Sequence, residues 1–422
     1  MHDALNPYDL VHDELDQRRE TGYDVEYLAE RFAGTDPDDQ DALVVLLDEL
    51  ARAERHGSWP YQEPDDLDGI RDLLPAVAAG PRPGDAELAD RILGGWLGRI
   101  AGCNLGKPVE MGEHWTRPHL RDYLERAGAY PLRDYIPVLD PMPEGFVFEA
   151  NWTETTRGRI AGSARDDDID FAILALHLLE RHGTGLRPEH VGQAWLTLLP
   201  FLQVYTAERV AYRNLIHGLT FPATATYRNP YREWIGAQIR GDVFGYVNPG
   251  DPRAAAELSY QDASLSHVGN GIYGEMWAAA LVAAAFTASG AREALELSLR
   301  HIPESSRLAE ALRRMLDLHA RGETWDDAVT DVNVRYGRYS WVHTINNAAL
   351  VAAGLLWGEG DYAATVGLTV QGGWDTDSNG ATAGSVAGVL LGAAALPAHF
   401  VDPLQGRTRS ALFGFDHARI SD

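Results

Sequence analysis

The chain has 422 residues, with 62 Asp and Glu against 36 Lys and Arg and a formal net charge of −26. An acidic surface of this kind repels a phosphate backbone and excludes non-specific nucleic-acid binding, although a metal ion or backbone N–H groups can still neutralise phosphate on a small molecule. The only cysteine, Cys103, excludes a disulfide framework and a thiolate metal site, and no stretch is apolar over a membrane span.

The N-terminus, Met1-His2-Asp3-Ala4-Leu5, has no basic region followed by an apolar run, so a soluble cytoplasmic protein is expected. Long stretches of helical period without strand alternation favour one large all-α domain with an appendage. Residues 1–84 read as a helical N-terminal extension, with amphipathic patterns over 41–55 and 67–79, closing at Gly80-Pro81-Arg82-Pro83-Gly84. The main domain then spans 85–422.

That domain opens on a helix carrying Gly94, Gly98, Gly102 and Gly106 at a spacing of four. Each glycine costs about 1 kcal/mol relative to Ala, so a stripe of them on one face predicts a very close neighbour. The matching stripe is Gly380, Gly384, Gly388 and Gly392. Antiparallel packing of the two would bring Gly106-Lys107-Pro108-Val109-Glu110 to the turn Gly373-Trp374-Asp375-Thr376-Asp377-Ser378; parallel packing would separate them. Lys107 is the only lysine in the chain, which composition bias alone explains.

Residues 111–155, with prolines at 118, 131, 137, 141 and 143, read as loops and short turns. Asp166-Asp167-Asp168 then starts a helix that stops at Gly183. One Asp there serves as a cap and dipole partner; further ones repel unless a cation lies between them, and the sequence leaves both readings open. The aromatics of 195–250 are mostly core, although 229–234 offers a ring that can stack on a base. The turn Gly269-Asn270-Gly271, flanked by Ser266, His267 and Tyr273, presents backbone N–H groups suited to a diphosphate or a sugar hydroxyl, or serves as a simple connection. Segments 291–301, 306–320 and 325–336 read as structural helices. His343, Asn346 and Asn347 open another helix, as caps or as polar groups facing a cavity. A last helix over 361–371 leads to Asp375 and Asp377, whose carboxylates and neighbouring hydroxyls form a compact set of hard oxygens for Mg2+ or Mn2+.

In this order, Gly98-x3-Gly102-x3-Gly106-Lys107-Pro108-x-Glu110, the acidic start at Asp166–Asp168, Gly269-Asn270-Gly271 and Gly373-x-Asp375-Thr376-Asp377-Ser378 resemble the ADP-ribosylglycohydrolase family. The resemblance covers about residues 91–396. It implies an all-α orthogonal bundle with a site for two Mg2+ or Mn2+ ions that cleaves the bond at C1 of the distal ribose of ADP-ribose. It implies Asp166, Asp167, Asp168, Asp375, Asp377 and Ser378 as metal ligands and Glu110 and Asp168 as catalytic carboxylates. The substrate contacts expected are Ser266, His267, Gly269, Asn270, Gly271, Tyr273, His343 and Asn347. Four positions depart from the family pattern: Asp166 replaces a threonine and can still ligate, Ile169 replaces a threonine and cannot, Ser378 replaces a threonine and keeps the hydroxyl, and Glu275 stands where an arginine that would help bind a diphosphate is frequent.

From the residues alone, oxygen-ligated divalent ions can hold ribose hydroxyls and generate a nucleophilic water, while a carboxylate takes the proton. That chemistry hydrolyses an N- or O-ribosyl bond; the resemblance implies a free or protein-linked ADP-ribosyl compound as substrate, and a small nucleoside-like N-riboside is the other substrate expected. A non-catalytic protein on the same scaffold is the remaining alternative.

Overall fold

The computed structural model describes residues 5–148 and 153–422, so Met1 to Ala4 and the part of the expected loop at 149–152 lie outside the described residues. Among the described residues, twenty α-helices are joined by short 3-10 turns, and the only β-type pairings are isolated bridges. The fold is all-α.

At its centre lies the helix Gly269–Ala285, every residue of which is buried. It can be apolar all round because other helices cover each face, among them Pro252–Ala263, Asp242–Tyr246, Thr344–Trp357 and Thr376–Leu391. A second apolar cluster joins the glycine helix Asp85–Gly106 to the region after it, including Trp115, Tyr123 and Ile169. That region is more ordered than its prolines suggest. Pro118 sits in the first turn of a helix, Arg117–Arg126, where its missing N–H costs nothing.

The two glycine helices, Asp85–Gly106 and Thr376–Leu391, pack antiparallel. A Cβ on Gly94 would overlap the carbonyl of Gly388, on Gly98 that of Gly384, on Gly102 that of Gly380 and on Gly106 that of Thr376. Backbone rests on backbone along the whole crossing, so only glycine fits. Gly392 falls outside the helix and ends it with φ of 80°.

Helices Pro7–Glu20, Glu26–Ala33 and Gln40–Leu50 of the N-terminal segment form a third cluster with Val210, Tyr231 and Trp234. The two rings expected as possible base platforms are therefore core, 0 % and 6 % exposed. Downstream, the helix expected over 67–79 stops at Asp72, three residues before Pro75. The segment is fastened to the rest of the chain through Arg307, which reaches both Glu63 (3.0 Å) and Glu233 (2.6 Å). No described helix is long and apolar enough to cross a membrane.

Candidate metal centre

The antiparallel crossing decides where the carboxylates meet. Glu110 leaves the end of the first glycine helix through the turn Lys107–Val109, and Asp375 and Asp377 stand at the start of the second. Thr376 ties the two ends together by donating from Oγ1 to the carbonyl of Gly106 (2.9 Å). Asp375 is the N-cap residue, yet its side chain makes no capping bond. Its backbone N–H instead donates to Asn347 Oδ1 (3.3 Å), which also accepts from Asn379 Nδ2 (2.7 Å). Trp374, just before, has φ of 62°, costly for a bulky side chain and of the kind found where a turn must aim a functional group.

The acidic helix Asp167–His182 supplies the third side. Asp166 caps it, accepting from Asp168 N on Oδ1 (2.9 Å). The other oxygen of Asp166 meets the Lys107 ammonium, which also lies 3.5 Å from Asp377 Oδ2 and 3.6 Å from Glu110 Oε2. Asp168 accepts from Ser378 Oγ (3.0 Å) and lies 3.4 Å from Arg99, whose guanidinium also binds the Asp168 carbonyl (2.7 Å) and Asp242 (2.6 Å). Oxygens of Glu110, Asp375 and Asp377 lie within 4.8 Å of one another; so do ligand atoms of Cys103, Asp166 and Asp377.

The electrostatics are those of crowded, buried carboxylates. Burial, followed by repulsion from neighbouring carboxylates, raises Asp168, Glu110 and Asp375 well above the ordinary range. Asp377 is also raised, by burial and Asp166, against the opposing Lys107. Asp167 is pushed up to about 8 by burial and Asp166. Asp166 alone is lowered: burial raises it, but Lys107 and the Asp168 N–H prevail. Carboxylates crowded until most resist ionisation need a cation to hold their charge, and their hard oxygens fit Mg2+ or Mn2+.

The structure gathers only part of the expected substrate set. Asn347 reaches the cluster; the rest is engaged elsewhere. Gly269 N donates to Asp65 Oδ1 (2.8 Å) and Asn270 N to Glu233 Oε1 (3.0 Å), so two N–H groups of the Gly269–Gly271 turn are already paired with carboxylates. Gly271 sits against the Arg232 carbonyl and the His267 ring. Tyr273 donates to the carbonyl of Pro64 (2.6 Å). Ser266 and His267 pair with each other (2.8 Å), and Ser266 accepts from Arg240 (3.1 Å). His343, fully buried, accepts from Ile345 N to cap its helix, and burial depresses it to about 3. Ser378 turns its hydroxyl to Asp168, where it orients a carboxylate.

Glu275 lies away from the carboxylate cluster. It is completely buried, 3.6 Å from Arg240, in a group with Asp262 and Glu208. Burial and the neighbouring Asp262 raise Glu275 well above the usual carboxylate range, so it is part of an internal polar group with Arg240.

Sequence reasoning missed Arg99 and set Lys107 aside as composition bias. A charged residue inside a glycine and alanine helix, and a lone lysine beside an invariably arginine-rich background, were the available signals. Cys103, read as core, is buried but also borders Asp166 and Asp377; burial keeps its thiol protonated by raising it far above the usual value.

The family model for ADP-ribosylglycohydrolase matches residues 84–417. No curated relative matches the chain. Among solved structures, a chain of an ADP-ribosylglycohydrolase-related protein complex is 21% identical, with a TM-score of 0.43 and an alignment covering 76% of this chain and 93% of that one.

Proposed function

The chain belongs to the ADP-ribosylglycohydrolase family, and on that premise we propose that it is a divalent-metal-dependent glycohydrolase acting on the ribose of an ADP-ribosyl compound, free or protein-linked. The observation that carries this reading is the convergence of Glu110, Asp375 and Asp377 at one end of the glycine crossing. Mg2+ or Mn2+ bound by these three would polarise ribose hydroxyls and lower the pKa of a bound water.

The chain's own groups divide the remaining work. With a bound cation offsetting the burial and the Asp377 repulsion that raise it, Glu110 would be ionised and free to act as the general base through its non-ligating oxygen: its side chain keeps 19 % exposure, against 3 % for Asp168, so it alone of the two opens toward solvent and substrate. It accepts the water proton while positive charge develops on the ring oxygen and C1. Asp168, clamped by Arg99 and Ser378, holds the acidic helix in register and is a positioning residue in this scheme. Asn347 fixes the turn that presents Asp375. Placed at this depth, the carboxylates act in a site of low dielectric, where their charge is felt strongly by a developing cation.

The test is release of ADP-ribose from an ADP-ribosylated protein and from a free ADP-ribosyl derivative, with Mg2+, with Mn2+ and with chelator. Metal-dependent release by the intact protein, abolished in folded Asp375→Ala, is expected. Release that persists in chelator, or full activity in Asp375→Ala, would remove the proposal.

A further inference from the structure

Building on the reading of this site as a divalent-metal centre, we infer that the Lys107 ammonium occupies one of its two cation positions, so that the chain holds one divalent ion, at Glu110, Asp375 and Asp377, rather than two.

The carboxylates form two overlapping groups that share Asp377: Glu110 with Asp375 and Asp377, and Asp166 with Cys103 and Asp377. Lys107 addresses both carboxylates of the second group, contacting Asp166 and lying 3.5 Å from Asp377. A divalent ion between those oxygens would need ligand distances of about 2.0–2.6 Å, which leaves no space for an ammonium on the same atoms and sets two positive charges against each other. The third member of that group is a thiol, a poor partner for Mg2+. Lys107 also borders the first group, 3.6 Å from Glu110 and 3.5 Å from Asp377, but its nearest carboxylate is Asp166, which belongs to the second group alone.

Of the residues beside the second group, Asp168 and Ile169 do not complete an ion site, and Asp167 is left next to Asp166. Asp168 is held by Ser378 and Arg99, and the next residue, Ile169, packs in the apolar cluster with Ile100 and Leu105. The residue type fits the task as well. A lysine head is a compact point charge with three donors, able to sit among Asp166, Asp377 and Glu110, whereas a planar guanidinium prefers to face one carboxylate through two bonds. Lys107 is the only lysine in the chain, 13 % exposed at its side chain and set at the end of the glycine helix, where the backbone aims it between the two acidic helix starts.

The experiment is metal stoichiometry on the full chain, by equilibrium dialysis with Mn2+ alone and elemental analysis, together with electron paramagnetic resonance. About one Mn2+ per chain with the spectrum of an isolated ion is expected. Removing the ammonium in Lys107→Met, or in Lys107→Gln if the first variant does not fold, should admit a second ion and give the exchange-coupled spectrum of ions roughly 4 Å apart. Two ions in the wild type would overturn the inference while leaving the metal-dependent function standing. One ion in both wild type and folded variant would overturn it as well, since the ammonium would not be what excludes the second. No bound Mn2+ in the wild type would overturn both this inference and the reading of the site as a metal centre.

Discussion

Replacing Gly102 by alanine tests whether the glycine crossing positions the metal centre. On an exposed helix the change would stabilise by about 1 kcal/mol, since alanine is the better helix former. At Gly102 the new methyl falls on the backbone carbonyl of Gly380, and no flexible side chain is there to yield. Overpacking of this kind costs roughly 1–3 kcal/mol, and a clash with backbone belongs at the upper end. The net expectation is a loss of about 2 kcal/mol. For 422 residues at about 2.1 cal/mol/K each, that lowers Tm by about 2–3 °C. A second effect is more diagnostic. Helices forced apart at Gly102 also separate Glu110, about two turns further along, from Asp375 and Asp377, and a displaced ligand set should weaken Mn2+ binding about tenfold or more. Thermal melts and calorimetric Mn2+ titration measure both effects, with Gly185→Ala as the control because nothing lies within 4 Å of its Cβ. A Gly102→Ala protein that melts at or above the wild-type temperature with unchanged Mn2+ affinity would refute the argument.

Two other outcomes follow from buried charge. Arg307→Met leaves Glu63 and Glu233 buried without their shared cation, a loss of about 3–5 kcal/mol; limited proteolysis should then cut first within residues 1–84, and an unchanged digestion pattern would show that the segment is held by its apolar cluster alone. Glu208 is raised from 4.5 to about 7 by burial, which outweighs the opposing Arg240. A carboxyl that stays neutral when folded stabilises fully below its unfolded pKa, and that contribution is lost as pH rises through the folded value. Stability should therefore fall between about pH 4.5 and 7 through this group, by on the order of 3 kcal/mol, and Glu208→Gln should flatten that part of the denaturant-midpoint profile.

The sequence by itself determined the crossing and the ends that meet there. A glycine every fourth residue on two helices specifies close backbone contact, because only a missing Cβ permits it, and the positions of Glu110, Asp375 and Asp377 relative to those stripes carry the carboxylates with them. The acidic start at Asp166–Asp168 was legible for the same local reason, a helix beginning where charge accumulates. Helix limits beyond Pro75 and around Pro118 were less legible, since proline marks both the end of one helix and the first turn of another.

Tertiary structure decided the rest because it depends on which distant groups share a buried space. Nothing near Gly269 in the chain reveals that Asp65 and Glu233, 204 and 36 residues away, take its turn's N–H groups. Nothing near Glu275 reveals Arg240 as its partner, and the same holds for Tyr231 and Trp234 beneath the N-terminal helices. The position of Lys107 among three carboxylates from three segments is the sharpest case. Helical periodicity can say which face a residue occupies, but the charge it meets there is set by chain segments as far as 270 residues away.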